Sequence, residues 1–293
     1  MAERTDWTPL SPQDMPAIVD LAKRCLGSDG GLQATTSPAF LERRYTGTGV
    51  TAVGAFTDRR LLACGALRTS PDACVVTGLV DPTHRGRGLG ARLLDDLLDL
   101  AAETDGCSGP VQLETESLTP HASALFRSRG FRQVFAEDIH RRDLTTSLPP
   151  SPLPAAVHAE QWTGAKQGAF YEAYRASFAD RPGFPDWTQD QWVDWTVDDS
   201  FVPQCSLVAR TANGTPIGFV TCGEGFLIQV GAIPQWRKRG LARALATTAL
   251  NHLRRHGDTE VFLDVNVNNP ASAALFQSLG FTPIARRARF EQH

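Results

Sequence analysis

The chain has 293 residues, 42% of them hydrophobic, which exceeds one ordinary domain and suffices for two cores. Its formal net charge of −3 excludes the global basic field that holds nucleic acid, so an anionic ligand must be met by local clusters. Six cysteines without a CxxC pair, an N-terminus (MAERTDWTPL) without an apolar signal region, and no apolar run of about 18 residues point to a cytoplasmic protein with no membrane span.

In chain order, 12–26 (PQDMPAIVDLAKRCL) and 40–46 (FLERRYT) are predicted helices, followed by strand-like runs at 51–56, 61–68 and 73–80. Residues 89–102 carry Leu89, Leu93, Leu94, Leu97, Leu98 and Leu100, the pattern of a helix buried along one broad face. A strand at 111–117 (VQLETES), a helix at 121–129 and a closing strand pair at 131–144 complete the first half. Residues 144–157 (LTTSLPPSPLPAAV) contain Pro149, Pro150, Pro152 and Pro154 and suit an extended, solvated linker. The second half repeats the order: helices at 165–178 and 189–195, strands at 205–210, 217–222 and 226–234, a helix at 241–255, a strand at 261–267, a helix at 271–279 and a terminal strand.

The repeat is also one of sequence. HRGRGLGARLL (84–94) returns as QWRKRGLARAL (235–245), and TPHASALFRSRGF (119–131) returns as NPASAALFQSLGF (269–281). We expect an N-terminal domain at 1–146, a linker at 147–154 and a C-terminal domain at 155–293. Each is read as an α/β (α+β) domain with one mixed, twisted sheet flanked by helices.

A strand, a turn rich in glycine and arginine, and a helix bring free backbone N–H groups and the helix dipole to one point, where a phosphate is stabilised. Nucleotides, dinucleotides and coenzyme A are the candidate ligands. The P-loop pattern is absent, and Gly86–Gly90 gives only GxGxG with no acidic residue ending a second strand. A solvated turn whose arginines touch nothing is the plain alternative, and its recurrence before the same kind of helix argues against it.

The pattern [RQ]xxGx[GA] after a strand, in VDPTHRGRGLG (80–90) and AIPQWRKRGLA (232–242), resembles the acetyl-coenzyme A loop of the GCN5-related N-acetyltransferases. That family's NxxAxxLYxxxGF motif is matched by 119–131 and 269–281, and the tandem arrangement is similar to that of mycothiol synthase-like members. The resemblance covers the latter part of each half; the leading helices carry no comparable signal. It implies a sheet splayed after its fourth strand, with the pantetheine arm beside Val80 or Ala232. The pyrophosphate would lie on Arg85, Gly86, Arg87, Gly88, Leu89 and Gly90, or on Arg237, Lys238, Arg239, Gly240, Leu241 and Ala242, with Asn269 and Phe276 beside the coenzyme. It further implies direct transfer from acetyl-CoA, or another short acyl-CoA, to a primary amine of a small molecule, with no metal, nucleic acid or membrane partner, in a monomer or homodimer.

Two departures matter. The family's tyrosine in LYxxxGF is Phe126 in the first half and Phe276 in the second, where packing is the expected role. No strong base stands out: Gln229 and Glu224 are the catalytic candidates of the second half, and Glu114 and Glu116 share a strand face in the first. Trp187, Trp192 and Trp195, with Asp180, Asp186, Asp190 and Asp194 nearby, read as core packing or as the wall of a cationic acceptor site. His84 faces solvent or phosphate. Asn269, longer than its counterpart Thr119, tilts catalysis to the C-terminal domain. The alternatives are a non-enzymatic acyl-CoA sensor and a protein N-acetyltransferase.

Overall fold

The computed structural model describes residues 6–58, 60–69, 73–107, 109–181 and 183–292, in two compact units. The first comprises Met1–Ile139, Asp264–Asn268 and Pro283–His293; the second comprises His140–Leu263 and Asn269–Thr282. These units differ from the boundaries expected at 146 and 155, because the chain's last strand is built into the first unit.

In the first unit α1 (Met15–Asp29) buries Ile18, Leu21, Ala22 and Cys25, the single stripe its spacing requires. Helix α2 (Pro38–Tyr45) starts on a Ser37 cap that accepts from the Phe40 N–H, with proline in the first turn. Strands β1 (Asp6–Pro9), β2 (Val50–Thr57), β3 (Arg60–Thr69) and β4 (Cys74–Val80) pair antiparallel in that order. Strand β5 (Val111–Thr115) lies parallel to β4 after a crossover through α3 (Leu89–Glu103). Helix α4 (Pro120–Ser128) and β6 (Phe131–Asp143) follow, and the chain leaves this unit within β6.

The sixth place belongs to β12 (Thr282–Gln292), antiparallel to β5 with Arg289 opposite Glu114 and Phe290 opposite Leu113. Side-chain alternation along β3 divides the cores. Ala63 and Leu67 face Leu93, Leu94 and Leu97 of α3 together with Phe290, whereas Cys64 and Ala66 face Ile18, Leu21, Leu41 and Tyr45 of α1 and α2. A disulfide joins Cys74, at the start of β4, to Cys107, beyond the end of α3.

The second unit repeats the plan: β7 (Val157–Gln161), α5 (Gln167–Phe178), α6 (Gln189–Thr196), β8 (Leu207–Thr211), β9 (Pro216–Gly223), β10 (Phe226–Ala232), α7 (Leu241–His256), β11 (Glu260–Asn266) and α8 (Pro270–Ser278). Strands β7 to β10 are antiparallel neighbours and β11 lies parallel to β10. The proline-rich segment is not freely solvated as expected. Leu148 is buried; its N–H donates to Asn251 Oδ1 (3.0 Å) and its carbonyl accepts from Asn251 Nδ2 (3.1 Å), which fastens the segment to α7.

Candidate active site

The two glycine–arginine loops are built alike. Gly88 and Gly240 are the N-caps of α3 and α7 with φ of 86° and 81°, a left-handed backbone that favours glycine, and neither helix has a side-chain cap. The first-turn N–H groups of both helices therefore have no partner along the helix and point outward, the arrangement that suits an anion. Open space surrounds the position of a Cβ at Gly86, Gly88 and Gly240. Lys238 takes the place of Gly86 and holds φ at 59°, a conformation that costs an L-residue about 1–2 kcal/mol.

Arg85 and Arg237, expected on the pyrophosphate, instead make the same structural tie. Arg85 forks onto Asp29 at the end of α1 (2.7 and 2.6 Å), and its Nε donates to the Val80 carbonyl (3.1 Å). Arg237 forks onto Asp180 beyond α5 (2.6 and 2.9 Å) and donates to the Ser177 carbonyl (2.8 Å). Each arginine fixes its loop to the leading helix, which leaves backbone N–H groups and the exposed Arg87, Lys238 and Arg239 for a phosphate.

The first loop has a second anchor in Asp81. This fully buried carboxylate receives Arg24 Nε (2.8 Å), Arg60 (3.0 Å) and both the N–H and the hydroxyl of Thr83 (2.9 and 2.6 Å). Burial pushes its pKa up, but hydrogen bonds from Thr83, Arg60 and His84 outweigh that and hold it well below the usual carboxylate range.

The units differ in what lies beside the loop. Strands β4 and β5 stay in register from Cys74 opposite Val111 to Thr77 opposite Glu114, then part. The gap opens into a cavity of about 410 Å³. Val80, Arg85 and Gly88 line its loop end and Tyr45, Thr77 and Glu114 the end where the strands rejoin. In the second unit β10 and β11 are paired only at Phe226 and Phe262. Trp162, Phe170, Tyr174, Trp192 and Phe219 pack between α5, α6 and the sheet, with Trp192 stacked on Tyr174 at 5.0 Å.

The remaining candidates sort by environment. Gln229 accepts from Trp192 Nε1 (3.1 Å) within that aromatic cluster. Glu224 is exposed on the turn between β9 and β10, at the end of β10 away from Ala232. Glu114 and Glu116 share a face as expected, and both receive Arg44 of α2 (2.7 and 2.5 Å); Arg289 and Arg68 stand 3.4 and 3.7 Å from Glu114. Phe126 lines the cavity and packs edge-on against Phe290, whereas Phe276 packs against Phe281. Asn269 and Thr119 cap α8 and α4, accepting from Ser272 and Ala122 N–H. Trp192 is core; Trp187 and Trp195 pair at 5.5 Å, with Trp195 52% exposed.

Sequence reasoning missed Asp29, Arg44, Tyr45, Thr77 and Asp81. Asp29 and Asp180 were detectable, since the one ends and the other closely follows the leading helix of its repeat, and both precede the loop arginine by similar intervals. The others carry no pattern at short range.

A mixed sheet whose parallel strands part beside an uncapped, glycine-started helix, present twice in one chain, defines a tandem acyl-CoA N-acyltransferase. The chain belongs to the acetyltransferase (GNAT) family, which matches residues 15–131 and 168–281, and it is an acetyl-CoA-dependent N-acetyltransferase. A mycothiol acetyltransferase of Thermobispora bispora is 31% identical over 286 residues, covering 93% of this chain and 94% of that protein. Among solved structures, a GCN5-related N-acetyltransferase from Sphaerobacter thermophilus is similar in fold, with a TM-score of 0.77 at 23% identity, covering 100% of this chain and 96% of that one. A tandem GNAT protein from the clavulanic acid biosynthesis pathway is also similar in fold, with a TM-score of 0.64 at 17% identity, covering 98% of each chain.

Proposed function

We infer that the chain acetylates the primary amine of a small molecule, and that transfer takes place in the first unit. The observation that carries this is the cavity running from the Gly88 loop to Thr77 and Glu114. It reverses the preference for the C-terminal domain that Asn269 suggested, since Asn269 and Thr119 are both engaged in capping.

In this reading the N–H groups of Gly88, Leu89 and Gly90 receive the pyrophosphate, and Gly78 to Val80, free of β5, border the pantetheine arm. The arm's length along β4 brings the thioester towards Thr77, where the strands rejoin. The acceptor enters from the α1–α2 side past Phe40, Arg44 and Glu116. A primary amine with a pKa near 10.4 arrives mostly protonated. Glu114 and Glu116 attract it, and its proton passes to water in the cavity, since Arg44 and Arg289 occupy the oxygens of Glu114. Alignment of two bound reactants contributes on the order of 7–11 kcal/mol to lowering the barrier. The naming of the T. bispora relative makes the amine whose acetylation yields mycothiol the first acceptor to assay.

The test is calorimetric titration of acetyl-CoA into wild type, Gly88→Glu and Gly240→Glu, with amine-dependent release of CoA followed in parallel. Loss of turnover in Gly88→Glu alone supports the first unit; loss in Gly240→Glu alone returns transfer to the second. A wild type that neither binds acetyl-CoA nor releases CoA removes the reading.

A further inference from the structure

The cavity of the first unit has two walls at its loop end. Gly88, Gly90 and Ala91, at the start of α3, form one; Thr119, His121, Ala122 and Leu125, from the first turns of α4, form the other. Strands β4 and β5 are parallel, so α4, which follows β5, begins at the same end of the sheet as the glycine–arginine loop that follows β4. A Cβ at Gly90 would lie 3.8 Å from Leu125 Cδ2, which sets α4 directly across from the first turn of α3. His121 precedes Leu125 by one helical turn and shares its face, so the imidazole stands on that wall, nearer the start of α4.

Other polar side chains of the cavity are already engaged. Arg85 forks onto Asp29, Arg44 bridges Glu114 and Glu116, and the Cys25 thiol donates to the Val80 carbonyl (3.5 Å). The exposed His121 ring, by contrast, makes no hydrogen bond or ion pair among the described residues. The two repeats also distribute their nitrogen donors differently. Where the second loop has Lys238, the first has Gly86, which carries no side chain; where the first turn of α8 has Ala271, that of α4 has His121. With Arg85 and Arg237 tied to carboxylates, each loop keeps one exposed arginine, Arg87 or Arg239. The further donor comes from the loop itself in the second unit and from across the groove in the first.

We propose that His121 is a specificity-determining residue for the acyl donor: its ring N–H donates to the diphosphate of the coenzyme from the α4 wall, opposite the backbone N–H groups of α3. The inference rests on the proposed site of transfer in the first unit. Either tautomer of a neutral imidazole has one ring N–H to give, and a hydrogen bond to an ionised acceptor is shorter and stronger than one between neutral groups. The ring makes and breaks no covalent bond. It reads the nucleotide end of the donor, and it is silent towards an acyl donor that ends at pantetheine.

The experiment measures thiol release to hydroxylamine as probe nucleophile, above the uncatalysed rate, from acetyl-CoA, S-acetyl-3′-dephospho-CoA and S-acetylpantetheine. Wild type, His121→Ala, His121→Gln and Gly88→Glu are compared. Loss of a hydrogen bond to a charged group corresponds to about 10- to 100-fold in affinity. The expected result for His121→Ala is a KM raised about tenfold or more for acetyl-CoA, and by the same factor for the dephospho donor, with kcat near wild type. On S-acetylpantetheine its kcat/KM equals that of wild type, and His121→Gln, which keeps an N–H, recovers part of the loss. A KM for acetyl-CoA within about twofold of wild type overturns the assignment. So does a defect of equal size on S-acetylpantetheine, which marks a structural role, or one that disappears with the dephospho donor, which moves the ring to the 3′-phosphate. Gly88→Glu separates this inference from the reading beneath it. If that variant leaves KM for acetyl-CoA unchanged, transfer does not use the first unit; if it raises KM while His121→Ala does not, His121 alone is set aside.

Discussion

Phe126 of α4 and Phe290 of β12 meet edge to face, their ring centroids 5.1 Å apart, and so seal the first unit's core with a residue from the far end of the chain. Phe290 is fully buried among Leu113, Phe131 and the α3 leucines. Phe290→Ala is expected to destabilise the first unit by about 3–5 kcal/mol. A fragment of residues 1–146, which lacks β12, is expected to show no cooperative melt. Differential scanning calorimetry decides; a fragment with a sharp transition and native near-UV dichroism would mean that β12 is dispensable.

The Arg85–Asp29 fork fixes the first loop against α1, with both side chains shielded from water. Asp29→Asn is expected to raise KM for acetyl-CoA about tenfold with a smaller effect on kcat, because the loop loses a tether and not a reacting group. Asp180→Asn, in the matching tie of the second unit, should leave turnover unchanged. Steady-state kinetics on the pair would sink the idea if the two variants behaved alike.

Asp81 makes the first loop sensitive to acid. Its pKa is lower folded than unfolded, so the stability it contributes is fully present above the ordinary aspartate value near 4, declines below it and is lost only as pH falls through the depressed folded value. Urea melts of wild type and Asp81→Asn are expected to show the wider stability gap at pH 6 and a narrower one, still open, at pH 3.5, since the folded carboxylate takes its proton only at lower pH. Parallel curves at both would show that the buried carboxylate adds no pH dependence.

The Cys74–Cys107 bridge closes a ring that holds β4, the glycine–arginine loop and α3. For a separation of 33 residues, chain entropy predicts about 3–4 kcal/mol of stabilisation. Cys107→Ser should therefore lower the Tm of the first unit relative to oxidised wild type and match reduced wild type. Mass spectrometry after alkylation reports whether the bond is present; an unchanged Tm on breaking it would contradict the entropic account.

The amino-acid sequence by itself determined the repeat, the α/β plan of each half and the two anion-ready loops. These rest on neighbours within a few residues: glycines at left-handed positions such as Gly88 and Gly240, caps such as Ser37 and Asn269, and apolar spacing along α1 and α3. What only the tertiary structure decided depends on residues far apart along the chain. Burial of Phe290 beside Leu113 gives the first unit its last strand, and carboxylates at the helix ends take the guanidinium groups of Arg85 and Arg237. Trp192 and its aromatic neighbours form the core between α5, α6 and the sheet in one repeat, and an open cavity lies beside the loop of the other. Local dihedral and capping preferences act over a single turn and are written at short range. Packing and ion pairing are settled by whichever side chains the whole fold brings within a few ångströms, and no motif records that choice.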